Sequence, residues 1–139
     1  MNKTDLQTLA DLRIDEAQAL LTFTPPRPDA AYYLAGYAVE CALKAAIATL
    51  FNQHDWPDKR FVNDCHTHDL LLLVKYAKLN GSRLTLSAAN PLFEDNWKIV
   101  QAWNESSRYE RHNLVKAQAM VDAVANTTNG VLPWIKAIW

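Results

Sequence analysis

The residues best suited to chemistry lie in the polar segment NESSRYERHN, positions 104–113, which contains Arg108, Arg111 and His112. Metal-independent cleavage of RNA needs a base that takes the 2′-hydroxyl proton and a cation that stabilises the charged phosphate. A histidine titrates near neutral pH, and an arginine binds phosphate through two N–H groups. Arg108 and His112 are therefore the candidate catalytic residues. The alternative is a solvated loop in which the arginines pair with neighbouring glutamates.

A second polar set is carried by the long apolar segment AAYYLAGYAVECALKAAIATLF. Its only charges, Glu40 and Lys44, are flanked by Tyr33 and Tyr37 on one helical face. Arg13 falls on the apolar stripe of the preceding segment, so we expect a buried ion pair between Arg13 and Glu40. We call Arg13, Tyr33, Tyr37, Glu40 and Lys44 the polar seam. It either orders a helical bundle or lines a groove for a nucleotide or RNA.

Two further sets of side chains could bind a ligand. Cysteine and histidine cluster in CHTHD, positions 65–69, but no CxxC or HExxH spacing supports zinc, so we expect no metal. His68 is expected to pack or to cap a helix there. The second set is aromatic and consists of Trp97, Trp103, Tyr109, Trp134 and Trp139. Exposed aromatic rings could stack on bases, but we expect these rings to pack in a core or a dimer interface. Tyr109 and Arg111 remain candidate binding residues. No Gly-rich phosphate loop is found, and no cofactor is predicted.

Helical periodicity predicts an all-α fold of about five helices with a C-terminal turn, and no segment has the alternation of a convincing strand. The helix boundaries rest on capping and proline signals: a capping box from Thr4 to Gln7, a stop at Pro25 and Pro26, caps at Asp29 and Thr67, an end near Asn80-Gly81, and a start at Asn90-Pro91. Positions 52–67 are predicted to form a polar loop, and Leu84 and Leu86 are left without an assigned element.

The central segment should be buried on nearly all sides. Small residues follow a helical spacing that allows close approach of a second helix, at Ala31, Ala35, Ala38, Ala42, Ala45 and Thr49. A second stripe is bulky and consists of Tyr32, Val39, Leu43 and Leu50. A membrane span is the alternative, but the charges of Glu40 and Lys44 fall in mid-segment, where they would be costly. We therefore expect no membrane association.

Length and composition favour one ordinary globular domain over residues 1–139, with 50% hydrophobic and 21% charged residues. With 14 Lys and Arg against 15 Asp and Glu, the chain has no overall basic footprint for nucleic acid, although a local patch is compatible with these numbers. The two cysteines do not indicate a disulfide framework. The polar start MNKTDLQTLADL has no features of a signal peptide, so a cytoplasmic location is expected.

Five segments in order resemble bacterial HEPN-domain proteins: LRIDEAQALL, AAYYLAGYAVECALKAAIA, HTHDLLLLVKYAKL, NWKIVQAW with SRY, and NGVLPWIKAIW. The YYLAGYAVECALKA block is the most specific piece. The resemblance implies an up-and-down helical bundle that is commonly a homodimer. Many HEPN proteins are ribonucleases, often toxins paired with a nucleotidyltransferase-like antitoxin. Others have lost catalysis and bind nucleotides, RNA or partner proteins.

Ribonuclease members of that family carry an arginine and a following histidine, and Arg108 and His112 occupy the matching region. Three residues separate them, one fewer than the family's shortest spacing, so the motif is a degenerate Arg-x3-His. The resemblance thus leaves two hypotheses: a metal-independent endoribonuclease, or a catalytically inactive module that binds a nucleotide or partner protein. If the chain cleaves RNA, a dimer would bring both copies of the pair to one cleft.

Overall fold

The computed structural model describes every residue from Met1 to Trp139, and the chain contains helices and no strand. Eight α-helices and one 3₁₀ helix follow in the order α1 Lys3–Thr22, α2 Pro28–Ala48, α3 Lys59–Asp64, α4 Leu70–Tyr76, α5 Asn80–Ala89, α6 Pro91–Gln101, the 3₁₀ helix Glu105–Tyr109, α7 Leu114–Ala125 and α8 Val131–Lys136. The all-α prediction is confirmed. The helices are more numerous than predicted because α3 and α5 were not foreseen. No helix combines the length and apolar character that crossing a bilayer requires.

Helix α2 is the centre of the fold. It packs against α1, α4, α7, α8 and the 3₁₀ helix, so segments from both halves of the chain meet on it. The small residues of its predicted stripe are completely inaccessible at Ala31, Ala35, Ala38, Ala42 and Ala45, as the spacing indicated. Thr49 and Leu50, at the end of the two stripes, are exposed because α2 ends at Ala48.

One glycine lets α2 approach a tryptophan more closely than any other residue would. A Cβ atom at Gly36 would lie 2.3 Å from the indole ring of Trp103. Real Cβ contacts are not that short, so the ring occupies the space that the missing side chain leaves. Trp103 is only 3% exposed and directly precedes the segment that contains Arg108. The contact therefore anchors that segment to α2.

The hydrophobic core joins residues from α1 to α8. Trp97 and Trp103 are buried, which confirms core packing for two members of the aromatic set. Trp134 meets Phe93 and Trp97 edge-on, with ring centroids 5.4 and 6.3 Å apart. Tyr109 differs from them because its side chain stays 79% exposed.

The first two helices each begin two residues earlier than predicted. The capping box of α1 is formed by Asn2 and Asp5 rather than by Thr4 and Gln7. The Asp5 backbone N–H donates to the Asn2 side chain at 3.0 Å, and Asp5 accepts from the Asn2 N–H at 2.9 Å. In α2 Pro28 occupies the first turn, where its missing N–H costs nothing, so Asp29 lies inside the helix and is not its cap.

The middle of the chain contains more helix than predicted. Asp58 caps α3 by accepting the Phe61 N–H, so the expected loop at 52–67 is partly helical. Asp69, not Thr67, caps α4 by accepting the Leu72 N–H. Helix α4 ends before Asn80-Gly81, because Lys78 adopts a left-handed conformation with φ of 59°.

The segment around Leu84 and Leu86 is the helix α5, which follows directly on the turn at Lys78. Neither residue is fully buried, and α5 contains no buried residue at all. Leu84 and Leu86 alternate over too few residues for the sequence to show a helical period there. The predicted start at Asn90-Pro91 is confirmed, since the Asn90 side chain accepts the N–H groups of Leu92 and Phe93.

Candidate functional site

The polar seam of α2 centres on Glu40, whose side chain is only 3% exposed. Lys44, one turn further along α2, donates to Glu40 Oε1 at 2.8 Å. His68, immediately before α4, places its Nδ1 at 2.9 and 3.0 Å from the two Glu40 oxygens. A buried carboxylate needs compensating charge and hydrogen bonds, and these two residues supply both.

His68 connects this carboxylate to a second one. Its Nε2 lies 3.0 Å from Oε2 of Glu105, the first residue of the 3₁₀ helix. Both ring nitrogens of His68 therefore face a carboxylate oxygen, Nδ1 on Glu40 and Nε2 on Glu105. The chain Lys44, Glu40, His68 and Glu105 thus links α2 to the starts of α4 and the 3₁₀ helix.

The predicted ion pair between Arg13 and Glu40 is wrong. Arg13 pairs instead with Glu16, one turn along its own helix. Its side chain is 28% exposed, so the guanidinium reaches the solvent boundary, where a carboxylate on the same helix can meet it. The hydrogen bond to Glu16 raises the pKa of Arg13 above its usual value. Glu40 needs no further cation, because Lys44 and His68 already satisfy it.

His112 is enclosed rather than exposed. Its side chain has no accessible surface, and its ring stacks on Tyr32 with centroids 3.9 Å apart and an interplanar angle of 19°. The His112 backbone N–H donates to Asp29 Oδ1 at 2.5 Å. Nε2 lies 3.4 Å from the Ser107 carbonyl oxygen, while Nδ1 has no hydrogen-bond partner. His112 therefore belongs to the core rather than to a solvated loop.

Arg108, by contrast, is fully in solvent. Its guanidinium carbon lies 4.9 Å from the centroid of the exposed Tyr109 ring. Hydrogen bonding to Tyr109, and to a smaller extent to Tyr33, raises the pKa of Arg108 above its usual value. Tyr33 in turn packs against Tyr37 and Trp103, with ring centroids 6.0 and 5.9 Å away. We call Tyr33, Arg108 and Tyr109 the Arg108 cluster.

Arg111 extends from the same loop into solvent, with 95% of its side chain exposed. Its Nε lies 3.4 Å from Oδ2 of Asp29, the residue that also accepts the His112 N–H. Asp29 therefore holds the backbone of this loop against the first turn of α2. An exposed ion pair of this kind contributes little to stability, and Arg111 remains available to a ligand.

A cavity of about 340 Å³ lies on the other half of α2, between α1, α2 and α3. Its lining is mostly hydrophobic, and Tyr37, Glu40 and Lys44 of the polar seam contribute to it. Burial raises the pKa of Cys41 from 9.0 to about 11 and that of Tyr37 from 10.0 to about 12. Both groups are therefore neutral at ordinary pH, and neither is an activated nucleophile.

The structure thus divides the predicted site residues into two groups. Tyr33, Arg108 and Tyr109 come together on the surface, while Tyr37, Glu40 and Lys44 line the cavity. His68 was not predicted as a partner of Glu40, nor Glu105 as a partner of His68. The buried charge of Glu40 indicated that a partner existed, but nothing in the sequence pointed to a histidine 28 positions away.

Neither a known protein family, nor a characterised protein, nor a solved structure matches this chain.

Proposed function

We propose that this chain is a HEPN-like helical module that binds RNA or a nucleotide at the Arg108 cluster and does not cleave it. The proposal includes the up-and-down arrangement of the main helices that the sequence resemblance implies. One observation carries it: Arg108 and Tyr109 form an exposed cation–aromatic pair beside Tyr33, whereas His112, the residue needed for cleavage, has no accessible side-chain surface.

The Arg108 cluster has the two kinds of group that single-stranded nucleic acid uses. One face of the Tyr109 ring is open, because the other face is covered by the Arg108 guanidinium and the side chain is 79% exposed. A base can stack on an open ring without sequence preference. The guanidinium can then donate to a phosphate of the same nucleotide or its neighbour.

One member of the cluster, Tyr33, is held in place by packing. Trp103 is buried against Gly36, and its ring contacts Tyr33. Tyr33 stacks on Tyr37 with an interplanar angle of 13°. Because these contacts exist before any ligand arrives, less conformational freedom is lost on binding.

Cleavage is the weaker hypothesis because of the surroundings of His112. A general base must come within hydrogen-bond reach of the proton it removes. The His112 ring is covered by Tyr32 on one face, and Nε2 points towards the Ser107 carbonyl oxygen. A 2′-hydroxyl cannot approach either nitrogen without displacing part of the core.

The test is fluorescence anisotropy with a labelled single-stranded oligoribonucleotide, with ATP as competitor. We expect Arg108→Ala and Tyr109→Ala each to weaken binding by about tenfold, and Tyr109→Phe to bind like wild type because it keeps the ring. Arg108→Ala should also flatten the salt dependence of the affinity. Arg60→Ala is the matched control, since Arg60 is an exposed arginine on α3.

A denaturing gel of the same RNA, incubated without metal, examines cleavage. We expect intact RNA with both wild type and His112→Phe. Cutting by the wild type that His112→Phe abolishes would overturn the non-catalytic proposal. Equal loss of affinity in Arg60→Ala and Arg108→Ala would remove the Arg108 cluster as the binding site.

A further inference from the structure

The cavity between α1, α2 and α3 has the size and lining of a small-molecule site. Its volume of about 340 Å³ lies within the range of known ligand pockets, which are mostly apolar with a few polar groups. The apolar wall is built by Leu6, Ile47, Phe51 and Val62. Such a wall suits a hydrocarbon body rather than a sugar or a phosphate.

The polar end of the cavity contains two charged groups of opposite sign, and they differ in what they can still bind. Both oxygens of Glu40 already receive hydrogen-bond donors, from Lys44 and His68. Lys44 uses one N–H for Glu40, and an ammonium has three. Its side chain is 22% exposed and lines the cavity. The N–H groups of Lys44 that Glu40 does not use are therefore free for an acceptor.

We infer that this cavity binds a small amphipathic carboxylate, with an apolar body along the hydrophobic wall and its carboxylate on the Nζ of Lys44. An amine of the same length would place a second cation beside Lys44 and would have to share Glu40 with Lys44 and His68. An alcohol would gain the apolar contacts but not the charge-assisted hydrogen bond. This inference does not rest on RNA binding, because none of the Arg108 cluster lines the cavity.

Three probes of equal length test the head group on the wild-type protein: octanoate, 1-octanol and octylamine, measured by isothermal titration calorimetry. We expect octanoate to bind about tenfold more tightly than 1-octanol, the effect of one charge-assisted hydrogen bond, and octylamine to bind no better than 1-octanol. Equal affinities for all three, or a preference for the amine, would overturn the inference.

Two variants test the position of the ligand. Lys44→Met should lower the affinity for octanoate to that for 1-octanol, whereas Lys98→Met should not change it. Lys98 is the matched control because it also pairs with a glutamate one turn earlier, Glu94, and is absent from the cavity. Ala48→Phe places a ring in the cavity and should abolish binding of all three probes. Unchanged octanoate binding by Ala48→Phe would show that the probe binds elsewhere.

The native cysteines give a readout that needs no substitution. Cys41 and Cys65 both line the cavity, and Cys65 is the more accessible. Saturating octanoate should slow the reaction of Cys65 with a maleimide, while octylamine at the same concentration should not. Calorimetric binding without protection of Cys65 would contradict the proposed location, even if Lys44→Met proved unable to fold.

Discussion

His68 and His112 both contact α2, yet their surroundings are opposite. The His68 side chain is 48% exposed, and both its nitrogens face carboxylate oxygens. The His112 side chain has no exposure, its ring stacks on Tyr32, and its Nδ1 has no partner. His68 thus connects segments through charge, whereas His112 connects them through packing. The residue type was the same, and only the environment separated the two roles.

This difference matters for function because the sequence pointed the other way. His112 was the candidate base, since it follows Arg108 in a polar segment, and His68 was expected to pack or cap. In the structure His112 packs, and His68 joins an ionic chain. A histidine beside polar residues in sequence can therefore be part of the core when its loop folds back onto a helix.

The largest effect expected is on the packing histidine. His112→Ala should lower the free energy of unfolding by about 3 kcal/mol, because it removes an aromatic ring from a filled core position and leaves a cavity next to Tyr32. Urea denaturation at neutral pH measures it. His112→Phe is the control: it keeps the stack and loses only the unpartnered Nδ1 and the long 3.4 Å contact of Nε2 with the Ser107 carbonyl oxygen, so its cost should stay below about 1.5 kcal/mol.

The second effect is a loss of stability at alkaline pH, and it separates the region around Cys41 from the region around His112. Cys41 has its pKa raised to about 11 from 9.0, so above pH 9 the unfolded chain releases a proton that the folded chain keeps. Stability should fall from about pH 9 upwards, by about 2 kcal/mol near pH 10.5. Cys41→Ala should remove most of this early fall and leave only the part that comes from Cys65, whose pKa burial also raises. Tyr32→Phe should not change it, because burial raises the pKa of Tyr32 from 10.0 and so acts later.

Urea midpoints at pH 8.0, 9.5 and 10.5, in the presence of a reducing agent, provide the measurement. The same alkaline loss in Cys41→Ala and wild type would assign the effect to other groups. Loss of the early fall in Tyr32→Phe would place it in the His112 region and contradict the comparison.

The third effect concerns Glu40, the buried carboxylate that His68 contacts. Glu40→Gln keeps the volume but removes the charge that accepts from Lys44 and His68, so we expect a loss of about 1.5 kcal/mol. Urea denaturation again gives the value. Glu94→Gln is the matched control, because Glu94 also pairs with a lysine one turn later and there the N–O distance is 3.9 Å. An equal loss of stability in both variants would mean that the burial of Glu40 adds nothing to the free energy of unfolding.

The smallest effect should come from His68 itself. His68→Ala should lower the free energy of unfolding by less than about 1 kcal/mol, because the side chain is half-exposed and Glu105 is 43% exposed. Thermal denaturation of His68→Ala, Glu105→Gln and the double variant tests this value and the coupling between the two. A loss as large as that of His112→Ala would erase the distinction between the two histidines.

Much of the fold followed from patterns that are local in sequence. The buried faces of α2 and the start of α6 depend on residues within a few turns of each other, and both were predicted. Helix α3 has only six residues, too few to show a period, and α5 begins after Leu79 without a side-chain cap, so no capping signal marked its start. The end of α4 was misplaced because a lysine, Lys78, takes the left-handed position where glycine or asparagine is expected.

The candidate site depended on contacts that are distant in sequence, and these were predicted less well. The pairing of Glu40 with Lys44 could be predicted from the sequence, since the two residues are one helical turn apart. Pairing Glu40 with Arg13 failed although the sequence shows a nearer partner, since Glu16 lies three residues after Arg13 on the same helix. The burial of His112 could not be read from its polar neighbours, because it follows from the stacking of a loop on Tyr32.

The contact between Gly36 and Trp103 has an evolutionary consequence. No side chain fits at position 36 while an indole occupies position 103, and no smaller side chain at 103 would fill the space that the glycine leaves. Substitution at either position alone should therefore be selected against, and related chains should exchange the two together. A correlated pair at positions 36 and 103 would identify related chains with this fold even where the residues around Arg108 differ.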